Sequence, residues 1–394
     1  MSLKNPNNRH LVIACAGCGS VGSVASVALH HARGLSRFMR VTLISDSFPS
    51  QSIDGVDFAA VTPRRFYFLR RFGHVPNEYA FVKAVHRKLY EIYQEQRVDV
   101  VICHSHALAS LAAYPFRQKY GVPFALVTHG DIFYRPKGTY DSRLTWFYKT
   151  VTPSAYSHAD LILALSPFMA ECAQRGGTSP ERIKVVPNGI DPKEIGIDLS
   201  VSRIAKLEEK SKEVLKILFV GRLSVEKGVE TLIHACRRLQ KKAVPFVLNI
   251  IGDGPLNNSL RMLVGQLGLS QKVSFLGTVP RAQLGDCYSS ADVTCVPSVS
   301  EPFGLVVLEA LVSECPVVAT DAGGIPFMVH HEQNGLITPV GDVEALTNAL
   351  DRLYRYPELL RTLTRNARNS VMEKFLWNKV ALTIADLIVK LRQQ

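Results

Sequence analysis

The segment Ser300-Glu301-Pro302-Phe303-Gly304-Leu305-Val306-Val307-Leu308-Glu309-Ala310 sets two carboxylates eight residues apart. On one helix, with Pro302 in its first turn, that spacing separates them by roughly 80°, so both would address one cleft. Glu301 alone would merely favour a helix dipole. Glu309 stands between Leu308 and the apolar run Ala310–Val312, where a carboxylate requires a ligand or a partner. Upstream, Phe219-Val220-Gly221-Arg222-Leu223-Ser224-Val225-Glu226-Lys227-Gly228 places two cations just after an apolar run. Arg222 offers a planar fork for phosphate oxygens and Lys227 a compact charge. Singly, either cation is also what a solvated loop carries.

Three further clusters carry chemistry. Gly17-Cys18-Gly19-Ser20-Val21-Gly22 is a literal GxGxxG, and Asp46 lies 24 residues beyond Gly22, where a nicotinamide-dependent dehydrogenase would hold a ribose. A tight strand-to-helix turn explains the glycines equally well. Under both readings a helix N-terminus offers amides to phosphate oxygens. Cys15 and Cys18 form a CxxC without a second pair at ligand spacing, so no metal site is expected. Arg64-Arg65-Phe66-Tyr67-Phe68-Leu69-Arg70-Arg71-Phe72 mixes guanidinium groups with aromatic rings. That composition suits an anionic membrane interface, a nucleic acid or a solvated amphipathic segment.

The frame that must position these residues shows in the rhythm of the chain. Short apolar runs alternate with longer amphipathic segments, the pattern of parallel sheets covered by helices. Strands are expected at 11–16, 41–45, 56–60, 98–103, 124–128, 161–165 and 183–186, then at 216–220, 247–251, 273–276, 293–296 and 317–319. Helices are expected between them, for instance at 21–35, 79–96 and 108–120. Pro187-Asn188-Gly189 marks a turn, and 205–214 is strongly charged. These signals divide the chain into a domain at 1–190, a linker at 191–215 and a domain at 216–375, with a helix in 376–394 packing back on the first domain. The fold class is α/β, two doubly wound Rossmann-like domains facing across a cleft, with ligands at the carboxyl ends of the strands.

Composition narrows the partners. The 394 residues are 47% hydrophobic and 20% charged, an ordinary globular balance that excludes disorder or coiled coil as the main architecture. The eight cysteines are scattered and need no disulfide role in a core of this size, which fits a reduced cytoplasm. The net charge is +12, and residues 1–200 carry 23 basic against 15 acidic side chains, so an anionic partner is expected. The uncharged stretch 11–29 is interrupted by Gly17, Gly19 and Gly22 and does not read as a signal peptide. No stretch approaches the ~20 apolar residues of a membrane span.

The residues from Lys216 to Leu346 resemble the donor-binding half of family-4 retaining glycosyltransferases of the GT-B fold. The resemblance rests on the GRL…EKG segment, Ile251-Gly252-Asp253-Gly254-Pro255, Phe275-Leu276-Gly277, the Glu301/Glu309 spacing and Thr320-Asp321-Ala322-Gly323-Gly324. Upstream, Pro187-Asn188-Gly189-Ile190-Asp191, His104-Ser105-His106 and Thr128-His129-Gly130 extend it over nearly the whole chain. It implies that Arg222 and Lys227 hold a donor diphosphate, and that Glu301 and His129 meet the transferred sugar. Glu309 would bind the ribose, and Val279 and Arg281 would flank the base. Phe303, Gly304 and Leu305 would lend backbone amides, and Gly19 or Gly22 would approach the diphosphate. Whether Glu301 acts as nucleophile or as electrostatic stabiliser stays open.

The expected activity is therefore metal-independent retaining transfer of a hexose from a nucleotide-diphosphate sugar, without a resident cofactor. Scanning every aspartate finds no Asp-x-Asp to hold a cation. A polysaccharide-precursor, lipid-linked or glycolipid acceptor is expected, with a small soluble acceptor as the alternative. Arg64, Arg65, Arg70 and Arg71 would meet an anionic membrane, making the protein cytoplasmic and peripheral at the inner face. A dehydrogenase would leave Arg222, Lys227 and the two glutamates without purpose. A nucleic-acid partner would do the same for Glu309 and is not expected.

Overall fold

The computed structural model describes residues 9–19, 23–63, 75–104, 108–130, 142–202, 204 and 213–391. They form two compact units, one of the described residues up to Gly189 with those from Trp377 on, the other of Ile190–Leu376.

The first unit is built on seven parallel strands: β1 (His10–Ala14), β2 (Arg40–Ser45), β3 (Val56–Ala60), β4 (Val100–Cys103), β5 (Phe124–Thr128), β6 (Leu161–Ala164) and β7 (Ile183–Val185). Their spatial order is 3-2-1-4-5-6-7. Every residue of β1 is buried, as a strand covered on both faces must be. Ile13 pairs with Leu43 on one side and Ile102 on the other. Gly17, at φ +71°, then turns the chain toward the helix Ser23–Leu35. The helix expected at 108–120 is instead a π turn at Ala109–Ala113 followed by the α-helix Tyr114–Tyr120. Pro115 has no amide to donate, so the ordinary ladder cannot run through it. The helix Trp377–Leu391 lies on Ser23–Leu35, where Gly34 admits Ala381: a Cβ on Gly34 would stand 2.5 Å from that of Ala381.

The second unit carries six parallel strands: β8 (Leu215–Val220), β9 (Phe246–Ile251), β10 (Val273–Gly277), β11 (Val293–Val296), β12 (Val317–Thr320) and β13 (Gly335–Thr338). The order is 10-9-8-11-12-13. Sequence reasoning missed β13, because it is short and begins on a glycine. That glycine serves close approach, since a Cβ on Gly335 would lie 2.4 Å from the Val317 carbonyl oxygen. Residues 191–202, expected within a linker, pack on this unit. Asp191 caps the turn Pro192–Ile195, and Arg368 donates to the carbonyls of Leu199 and Val201 at 3.3 and 3.1 Å. The charged stretch 205–212 lies outside the described residues. In each sheet the strand order reverses once, between β1 and β4 and between β8 and β11. Loops leaving the carboxyl ends at such a point diverge and leave a crevice.

Candidate functional site

At the reversal in the second sheet, the loop after β8 meets the loop after β11. The first is braced by backbone bonds: Gly221 N–H to Ile251 O at 3.0 Å, Leu223 N–H to Asp253 O at 3.0 Å and Leu256 N–H to Leu223 O at 2.9 Å. These close contacts explain the Gly252-Asp253-Gly254 motif, because a Cβ on Gly252 would lie 1.9 Å from the Gly221 oxygen. Gly228 plays the same part against β11, its Cβ position being 1.9 Å from the Pro297 oxygen. With the loops held together, the Lys227 ammonium lies 2.6 Å from Glu301 Oε2. The two side chains are 27% and 11% exposed. Ser298 Oγ reaches the same carboxylate oxygen at 3.5 Å. Arg222 is exposed on this loop.

The helix Leu305–Val312 begins later than the spacing suggested. Gly304 sits at φ +103°, a conformation that ends the preceding loop, so Glu301 and Pro302 lie outside the helix. The 80° projection therefore does not apply. Glu301 is placed by its loop, whose carbonyl accepts the Gly324 amide at 2.8 Å. Phe303 is buried at 3% exposure and packs toward Phe375 with centroids 6.3 Å apart, which pins the backbone of Gly304 and Leu305 beneath it.

Glu309 has the partner its apolar surroundings demanded. It is 3% exposed, with Oε1 accepting from Arg281 Nη1 at 2.7 Å and Oε2 from the Tyr288 hydroxyl at 2.9 Å. Burial pushes its carboxyl up from the usual range, against the opposing pull of the Arg281 charge and the Tyr288 hydrogen bond. Burial, reinforced by Glu309, likewise holds the Tyr288 hydroxyl well above its ordinary value. Arg281 also approaches Glu194 at 3.8 Å, and Val279 is half-buried just before it. Tyr288 escaped sequence reasoning. A polar ring in the short helix Leu284–Ser290, four residues past Leu284 on one face, was the available signal.

In the first unit, Asp46 accepts the Gly17 amide at 2.8 Å and thereby braces the glycine turn. The Gly19 amide is taken by Ser47 Oγ at 3.2 Å, and a Cβ on Gly19 would stand 2.5 Å from the Phe48 oxygen. Gly19 thus serves its own loop, while Gly22 lies outside the described residues, as do Arg64, Arg65, Arg70 and Arg71. His129 directly follows β5, and its Nε2 is 2.9 Å from Nδ1 of His104 at the end of β4.

The family described as Glycosyl transferases group 1 matches residues 202–370, and Glycosyltransferase Family 4 matches 24–194. An uncharacterized glycosyltransferase of Methanocaldococcus jannaschii is 31% identical over 294 residues, covering 72% of this chain and 73% of the relative. The chain belongs to the group 1 glycosyltransferases. In this glycosyltransferase the group 1 match contains Arg222, Lys227, Arg281, Glu301 and Glu309. Several further curated relatives are matched over 56–58% of their length. Among solved structures, sucrose-phosphate synthase from Thermosynechococcus elongatus superposes with a TM-score of 0.80 at 22% identity, over 98% of this chain and 99% of that one. Anabaena HepE, solved with UDP-glucose, gives 0.72 at 20% identity, over 97% and 99%. The fold of this glycosyltransferase is GT-B, two Rossmann-like parallel-sheet units. The GxGxxG spacing from Gly17 therefore carries no argument for a dehydrogenase.

Proposed function

We propose that this glycosyltransferase moves a hexose from a nucleotide-diphosphate sugar, with retained anomeric configuration, to a polysaccharide-precursor, lipid-linked or glycolipid acceptor. The observation that carries the reading is the Lys227–Glu301 contact beside the exposed Arg222 at the sheet's reversal point. Breaking a sugar–phosphate bond creates an anionic leaving group, and fixed cations at a helix N-terminus stabilise it. Lys227 would exchange Glu301 for the diphosphate, leaving the carboxylate for the transferred sugar. Glu309 would take the ribose hydroxyls once Arg281 yields an oxygen, with Arg281 and Val279 then beside the base. Backbone amides of Phe303, Gly304 and Leu305 would complete the donor site, and His129 would meet the sugar.

The sequence lacks Asp-x-Asp, which favours transfer without a metal. HepE, a structural neighbour solved with UDP-glucose, lends support to a nucleotide sugar as donor. No helix among the described residues is long and apolar enough to cross a membrane. The charge excess of residues 1–200 favours a peripheral approach to an anionic surface. A thermal-shift screen of nucleotide sugars tests the donor, since a ligand at 100 times its dissociation constant adds ~2.7 kcal/mol. Proton NMR of the first-formed product then reads its anomeric configuration. An inverted product, or no response to any nucleotide sugar, would overturn the proposal.

A further inference from the structure

We propose that His104 is a positioning residue that holds His129 in the tautomer with its proton on Nδ1, so that His129 serves as a hydrogen-bond donor and not as a base. The inference rests on the reading of His129 as a sugar-facing residue, but its core concerns a pair of rings within the first unit. His104 continues β4: its amide donates to the Ala14 carbonyl at 3.0 Å, which fixes the backbone from which the ring projects. The ring is 3% exposed, with Nδ1 2.9 Å from His129 Nε2. On its other side Nε2 is buried, with no hydrogen-bond partner among the described residues.

The surroundings allow His104 only one proton. Burial holds its pKa well below the ordinary histidine value, assisted by His129 and His31. His31, from the helix Ser23–Leu35, lies with its ring centroid 5.1 Å away and both nitrogens buried without partners among the described residues. Its pKa is pushed down to about 3, mainly by burial, so it brings no charge. His30 on the same helix stacks on Trp377, and Cys103 on β4 is held protonated by burial. A neutral His104 has two choices. A proton on Nε2 would add a second stranded donor beside the partnerless ring of His31, and an unpaired buried N–H is rarer than an unpaired acceptor. A proton on Nδ1 donates to His129 Nε2 and leaves only a bare lone pair buried. The second is cheaper, and it makes His129 Nε2 an acceptor. A neutral His129 then carries its own proton on Nδ1, a donor with no lone pair there with which to remove a proton.

Nitrogen-15 NMR of the full chain labelled in its histidine rings reads the tautomers directly, with assignment by His104→Gln and His129→Gln. Both residues are expected as the Nδ1–H form near neutral pH. An Nε2–H form at either ring overturns the proposal. Kinetics then test the consequence, using hydrolysis of UDP-glucose or GDP-mannose, whichever the enzyme cleaves. His104→Leu should lower kcat about tenfold with the donor KM within about twofold, because the groups are misplaced and not unbound. His104→Asn, whose amide nitrogen sits where Nδ1 was, should recover to within about threefold of wild type. Equal loss in the Leu and Asn variants, or a further loss when His104→Leu is added to His129→Gln, would make the role structural and overturn the positioning. Correct tautomers with unchanged kcat in His104→Leu would overturn the positioning by His104, and unchanged kcat in His129→Gln would overturn the part given to His129 in transfer.

Discussion

Replacing Lys227 with alanine removes one half of an ion pair whose other half has little access to water. Glu301 is 11% exposed, and after Lys227→Ala its carboxylate would keep only the 3.5 Å contact from Ser298 within the described side chains. Breaking a fully buried pair costs about 3–5 kcal/mol. Lys227 is 27% exposed, so water can enter as the ammonium leaves, and the cost falls to about 2–3 kcal/mol. For a unit of this size that lowers Tm by about 5–10 °C. The loop is thus not the indifferent surface that its charge alone implied. Glu301→Gln is gentler, about 1 kcal/mol, because the freed ammonium can turn to solvent. The two variants combined should cost about 1–2 kcal/mol, clearly less than their sum.

The assay is calorimetric unfolding of the four proteins of this cycle, with nucleoside diphosphate binding measured on each. Lys227→Ala should weaken UDP or GDP binding in both backgrounds. Glu301→Gln should hold that affinity within about threefold while turnover falls about a hundredfold or more, if the carboxylate meets the transferred sugar as proposed. Additivity of the two stabilities within about 0.5 kcal/mol would refute the pairing, and unchanged turnover in Glu301→Gln would refute its place in the chemistry.

Other expectations follow from neighbouring residues. Because burial raises the Glu309 pKa, the native state holds that proton more tightly, so this group's contribution to stability is fully present below the ordinary carboxylate range and declines as pH rises through the raised value. Glu309→Gln lacks that decline, so the stability gap between wild type and variant should narrow with rising pH; a gap that widens contradicts the assignment. Arg222→Ala should leave Tm within about 1 °C, since the side chain is exposed, yet weaken diphosphate binding. Activity should survive excess EDTA, and strict dependence on added Mg²⁺ would show that the two cations are insufficient. The full chain should co-sediment with anionic vesicles at low salt and leave them at moderate salt, with Arg64, Arg65, Arg70 and Arg71 contributing about 1 kcal/mol each; indifference to such vesicles would favour a soluble acceptor.

Much of the frame was legible because a strand covered on both faces must be continuously apolar. β1, β4 and β5 announced themselves that way, and the cation loop and paired glutamates stood out against it. What stayed hidden was decided by single backbone conformations and by distant neighbours. Spacing could not show that Gly304 would take a positive φ and put Glu301 off the helix. Nor could it show that Tyr288 would reach Glu309, because their proximity depends on how two helices pack. β13 was lost for a related reason, since its first residue is a glycine that is there to admit the Val317 carbonyl.

The two glutamates also show why equal spacing need not mean equal service. Glu301 lies on a loop and is held by a lysine that is itself part-exposed, so its partner can be exchanged only for another cation or hydrogen-bond donor, as the proposed meeting with the transferred sugar requires. Glu309 lies inside a helix with both oxygens engaged, and the pair with Arg281 keeps its charge compensated where water is scarce. Any hydroxyl that takes an oxygen from Arg281 must replace a charge-assisted hydrogen bond by a neutral one. The exchange is tolerable because Arg281 is 43% exposed and retains Glu194 nearby, so the guanidinium is released to water and a second carboxylate and is not stranded. Both carboxylates are therefore paired within the second unit, while Arg222, on the loop that also carries Lys227, is exposed.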